Sequence, residues 1–148
     1  MENLFEAIPY INAYKPAFLV LALLSLVVLV QNFLTAPLAF AKEEQTPGMP
    51  LKFDHSKLSF RAVRTYQNSA ESFPAFLAAC LVAIVAGASP FAINVAAGVY
   101  LLARLLFWGF YYSGFGKVAG GPRTMAFVVC LLANIVIAVA ALIKLVWV

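Results

Sequence analysis

Charge is what this chain has least of. Only 11% of its 148 residues are charged, against 64% that are hydrophobic, and the mean hydropathy is +0.94. A soluble domain is nearer a quarter charged, and one soluble core of this length could not hide so much apolar surface. The bilayer is the better solvent. Histidine is represented once, by His55, and cysteine twice, so no Cys/His cluster exists from which to build a zinc site. Cys80 and Cys130 both fall inside apolar runs, where cysteine behaves as a small hydrophobe, and no disulfide is expected. The net charge of +4 is small, and the basic residues are not gathered with aromatics, which argues against a nucleic-acid partner. Met1 to Pro16 holds Glu2, Glu6 and a single lysine. It lacks the positive start of a secretory signal, so the first apolar segment is expected to remain as a helix.

What is abundant is long uncharged sequence. Four segments are long enough to cross roughly 30 Å of hydrocarbon at about 1.5 Å per residue: about 16–40, 58–87, 91–113 and 122–148. Backbone groups in lipid must be satisfied within their own segment, which makes these segments helices. The expected fold is therefore an all-α membrane protein, a single domain over 1–148 built as a bundle of four transmembrane helices. Pro16, Pro90 and Pro122 stand at segment starts, where a missing N–H costs little. Pro37 and Pro74 lie within helical patterns and are candidate kinks. The loop over about 41–57 carries Lys42, Lys52 and Lys57, and the loop before the fourth segment carries Lys117, with Arg123 just after it. The connection between the second and third segments has no charge. The bias of basic residues puts both charged loops in the cytoplasm and both termini outside. The compact loops fit a bacterial inner membrane.

The few polar residues inside the segments share faces. At 100° per residue, Arg61, Arg64, Asn68 and Glu71 fall within an arc of about 80°. Arg104, Phe107 and Tyr111 lie within about 60° on the third segment, and Arg123, Phe127, Cys130 and Asn134 share a face of similar width on the fourth. A charge deep in lipid costs about 2.5 kcal/mol or more, so Glu71 and Arg104 must be paired, hydrated or turned toward protein. One reading is a structural ion pair of Glu71 with Arg64 or Arg104. The other follows from one glutamate facing up to four arginines: such a surplus invites an anionic ligand.

These segments also resemble a family. "RAVRTYQNSAESFP" is similar to the second-helix signature of the MAPEG proteins, the membrane-associated proteins of eicosanoid and glutathione metabolism, through Arg64, Asn68, Glu71 and Pro74. "LLARLLFWGFYY" resembles their third helix, with Arg104 and Tyr111 in matching positions. "GPRTMAF" resembles the start of their fourth, with Arg123 followed by Thr124. The resemblance implies a homotrimer with glutathione as cosubstrate, held between protomers near the cytoplasmic face. Arg61, Arg64 and Arg104 would take its carboxylates, Glu71 its ammonium, and Asn68 and Tyr111 would complete the contacts. Arg123 would stabilise the thiolate, which then attacks a lipophilic electrophile arriving through the bilayer. The implied activity is that of a glutathione transferase or peroxidase, with no metal.

The chain also departs from the family pattern. Glutathione-using relatives often carry arginines at the inner end of the first helix, and here "VQNFLTAPLAFAKEE" has none before Lys42. Phe107 and Phe127 stand where some relatives have polar rings. Two further classes stay open on these grounds: a noncatalytic scaffold or regulatory trimer with the same fold, and a small transporter using the polar stripe.

Overall fold

The computed structural model describes Phe5 and residues 8–42, 54–117 and 119–147. Most of the charged first loop, with Glu43, Glu44 and Lys52, lies outside the described residues. A short helix α1 (Pro9–Asn12) precedes four long ones: α2 (Lys15–Lys42), α3 (Leu58–Val85), α4 (Pro90–Ser113) and α5 (Pro122–Val146). No strand occurs among the described residues, and all four long helices are long and apolar enough to cross a membrane. Large apolar side chains such as Leu26, Phe33, Leu102 and Leu142 are exposed along their flanks. The protein is an integral, multi-pass, all-α bundle of four helices.

Local chemistry sets the helix ends. Pro90 and Pro122 open α4 and α5, and the Ser89 side chain accepts from the Ala92 N–H at 3.5 Å. The second span stops at Val85, two residues short of the position read from hydropathy, because Gly87 turns the chain at φ +75°. The fourth span closes at Val146, with Trp147 as its C-cap. Helix runs unbroken through Pro37 and Pro74. Before α3, Ser56 donates both its N–H (2.9 Å) and its hydroxyl (2.6 Å) to the Asp54 carboxylate, which holds that carboxyl below the usual carboxylate range.

Helices α3 and α4 are central, each packing on α2 and on α5. Small residues line the contacts: Ala17, Ala62, Ala83, Ala97 and Ala133 are all buried, which lets the helices approach closely. Larger side chains fix the register. The Phe76 and Tyr100 rings stack 3.9 Å apart at 11°. Both cysteines are free and buried in this core.

The end of the bundle at the α3–α4 turn is clasped by the N-terminal segment. Asn94 donates to the Ala13 carbonyl (2.8 Å) and accepts from the Ala17 N–H (3.1 Å). It thereby satisfies one of the four free N–H groups at the start of α2 from another helix. The Tyr10 and Tyr14 hydroxyls donate to the carbonyls of Ile84 and Ala88. This leaves the opposite end, around Ser113 and Pro122, to carry the charged groups.

Candidate functional site

Of the three arginines on α3 and α4, Arg61 is the most fully committed to protein. Its Nη1 donates to the carbonyls of His55 and Ser56, both at 2.8 Å, and its Nε and Nη2 donate to the Tyr112 carbonyl at 3.3 Å. It ties the start of α3 to the end of α4. Gly114 caps α4 at φ +69°, and a Cβ there would sit 3.3 Å from the Arg61 guanidinium carbon. Both the backbone angle and the arginine therefore call for glycine.

Arg104 is 4% exposed and lies within the bundle. It donates to the Asn68 amide oxygen at 2.8 Å and to the Ser69 hydroxyl at 2.7 Å. With its oxygen engaged, Asn68 has its NH₂ group left to offer a ligand. The Arg104 guanidinium also lies 5.0 Å from the centre of the Phe107 ring. Phe107 touches Tyr111 at 5.3 Å between ring centres, and the Arg123 guanidinium sits 4.3 Å over the Tyr111 ring. One continuous chain of contacts thus runs Asn68–Arg104–Phe107–Tyr111–Arg123 and joins α3, α4 and α5.

Arg64 and Glu71 share the α3 face with Asn68. Arg64 donates to Gln67 at 2.9 Å. Glu71 is exposed and has neither a hydrogen bond nor an ion pair among the described residues. The structural ion pair of Glu71 with Arg64 or Arg104 is therefore absent from the protomer, because neutral oxygens from Gln67, Asn68 and Ser69 take the arginine donors.

Two neighbours of this chain of contacts lie outside the stripes that helical period defines. Ser69 lies about 100° around α3 from Asn68 and so falls off the stripe. His55, the lone histidine of the sequence, packs its ring edge-on against Phe60 (4.9 Å) and lies 6.2 Å from Tyr111. Its position beside a loop that precedes a helix start gave no periodic signal.

Two openings flank this chain of contacts. An apolar groove of about 400 Å³ lies between α4 and α5, lined by residues such as Val99, Leu102, Leu106 and Met125. It can hold hydrocarbon and offers no polar side chain for chemistry. A smaller cavity of about 130 Å³ lies among α3, α4 and α5 and includes Arg104 in its wall.

Compared with known proteins, residues 16–143 match the model of a family described as the MAPEG family. No curated protein matches the chain.

Proposed function

The chain belongs to the MAPEG family, a family that includes glutathione-using enzymes, and on that premise we propose that it is a glutathione-dependent membrane enzyme of the transferase or peroxidase type. The observation that carries this reading is the contact chain from Asn68 through Arg104 and Tyr111 to Arg123. It spans three helices and ends in a cation stacked on a buried phenol ring.

The charges along it complement a tripeptide with two carboxylates and one ammonium. Glu71, exposed and without a partner among the described residues, suits the ammonium. Arg64 and the Asn68 NH₂ suit carboxylate or carbonyl oxygens. Arg104 contributes by fixing Asn68, and Arg61 by holding the α3–α4 frame. Tyr111 supplies a face against which Arg123 is held. A thiol has an ordinary pKa of about 8.5, and a fixed cation beside it favours the thiolate. Arg123 fills that role. The lipophilic electrophile reaches the site through the bilayer.

Half-buried Arg64 and exposed Glu71 on one protomer favour a site completed by a neighbour in a homotrimer; crosslinking in native membranes that stops at two subunits would count against it. The basic loops favour a site on the cytoplasmic side. A cysteine at Lys117 that an impermeant thiol reagent labels in intact cells would reverse that orientation.

A second reading, a noncatalytic scaffold of the same fold, is favoured by Arg61 and Arg104 acting on protein oxygens. The absence of arginine from α2 points the same way. Calorimetric titration of glutathione into the detergent-purified protein separates the two. Saturable binding at or below millimolar concentration supports the enzyme, and its absence supports the scaffold.

A further inference from the structure

Arg104 presents an electrostatic problem that its protein neighbours do not solve. It is almost fully buried, and no acidic side chain pairs with it among the described residues. Its two hydrogen-bond partners, Asn68 and Ser69, are neutral. A guanidinium has five N–H donors, so this pair of bonds leaves capacity unused. Its depth removes bulk water as the answer. Arg104 is about 14 Å of helix from Ser113, and Asn134 about 18 Å from Pro122, at roughly 1.5 Å per residue. Both lie near the middle of a hydrocarbon layer about 30 Å thick.

The 130 Å³ cavity adjoins this cation. Ser72, Tyr100, Cys130 and Asn134 line it with Arg104. Tyr100 is 2% exposed, and its hydroxyl has no hydrogen-bond partner. The Asn134 amide oxygen is buried and equally without one. Buried polar groups are nearly always satisfied, so two such groups beside one cavity mark a place where something polar belongs. The remaining wall is apolar, and Leu131, at 48% exposure, puts one edge of the cavity on the outer flank of the bundle.

We infer that this cavity, inside one protomer, binds the carboxylate of a single-chain amphiphile taken from the bilayer. The anion supplies the counter-charge that Arg104 lacks and accepts from the Tyr100 hydroxyl. The Asn134 amide, flipped so that its NH₂ group takes the place of the unpartnered oxygen, donates to it. The hydrocarbon chain leaves past Leu131 into lipid. A carboxylate of glutathione is the same chemistry from the aqueous side; the lipid source is favoured because Leu131 opens the cavity onto the outer flank of the bundle, and the displacement test separates the two. The site goes beyond the proposed glutathione chemistry and does not depend on it.

Binding of radiolabelled oleate to the purified full-length protein in detergent tests the inference. Saturable binding is expected, displaced by unlabelled oleate and at least tenfold less well by oleyl alcohol or by millimolar glutathione. Asn134→Leu, which fills the cavity, should weaken oleate binding tenfold or more, and Tyr100→Phe severalfold, each in protein that elutes and melts like the wild type. Equal displacement by oleyl alcohol would remove anion recognition by Arg104. Displacement by glutathione in place of oleate would make the counter-charge aqueous and overturn the lipid source. No saturable binding, or unchanged affinity in Asn134→Leu, would leave a cavity that holds water alone. Glutathione titrated in parallel reads the other site, so failure of one reading is distinguishable from failure of the other.

Discussion

Arg104 and Asn68 are joined across the α3–α4 interface by a 2.8 Å hydrogen bond that uses the amide oxygen and leaves the amide nitrogen uncommitted to Arg104. A buried cation thereby fixes the orientation of a half-buried amide. The bond is charge-assisted and shielded from solvent, so it holds its geometry better than a surface contact would.

Removing the amide tests that arrangement. Asn68→Leu takes away one of the two side-chain hydrogen-bond partners of a buried guanidinium, and hydrogen bonds to charged groups contribute about 1.5–3 kcal/mol. Thermal stability should fall by an amount of that order. Ser69→Ala removes the other partner and should cost a similar amount. The two variants should part company in glutathione affinity. Asn68→Leu also loses a ligand contact and should bind at least tenfold more weakly, whereas Ser69→Ala should keep most of its affinity. Equal affinities in the two variants would make Asn68 a structural residue only.

Asn94 offers a control at the other end of the bundle. Its two bonds, to Ala13 and Ala17, hold the start of α2 against α4. Asn94→Leu leaves a helix N–H and a carbonyl without those partners, and neutral hydrogen bonds contribute about 0.5–1.5 kcal/mol each. A drop of about 1–3 kcal/mol in stability is expected, with no change in glutathione affinity. A variant that melts like the wild type would show that the clasp contributes nothing.

Glu71 separates the ligand reading from a purely structural one. It lacks a partner among the described residues, so Glu71→Gln should leave the stability of the detergent-purified protein nearly unchanged without ligand. If Glu71 holds the ammonium, the lost ionic contact of roughly 2–4 kcal/mol weakens glutathione binding by about 30- to 1,000-fold. Wild-type affinity in the variant would take Glu71 out of the site.

These contrasts show what could and could not be read from the sequence. The four spans were legible because hydropathy over some twenty residues needs no tertiary information. The stripes were legible because helical period places Arg64, Asn68 and Glu71 on one face, and Arg104, Phe107 and Tyr111 on another. Partners were not legible. Asn94 reads as an isolated polar residue in an apolar half, and its work as a remote cap of α2 spans the whole of α3. Ser69 lies off the stripe and acquires its role only when α4 brings Arg104 to it. Arg61 is on the stripe by period, yet it is drawn to the carbonyls of His55, Ser56 and Tyr112 because α3 begins beside the end of α4. Period gives the face of a helix. It does not say which neighbour reaches that face first.

Arg123 bears the proposed chemistry. It opens α5 directly after Pro122, and its guanidinium is held over the buried Tyr111 ring at 4.3 Å. A cation held in this way has given up some of its rotamer freedom before any ligand arrives, so less is lost when a thiolate is placed beside it. The effect should therefore appear as a shift in thiol ionisation. Bound glutathione thiolate absorbs in the near ultraviolet, and its titration midpoint can be read directly. In the wild type the midpoint should lie below the ordinary thiol value of about 8.5. Arg123→Leu should raise it by about one unit or more, each unit being about 1.4 kcal/mol of differential stabilisation. The sign fixes the pH dependence: turnover with an aromatic electrophile should fall at neutral pH in the variant and recover in part as pH rises through the new midpoint. Tyr111→Leu, which removes the ring beneath the guanidinium and leaves its charge, should shift the midpoint in the same direction by less. Affinity for glutathione should change little in either variant, because the thiol is one of several anchored groups. Identical midpoints in the wild type and Arg123→Leu would mean that the thiolate is stabilised by another group, and the contact chain would then end in a structural stack.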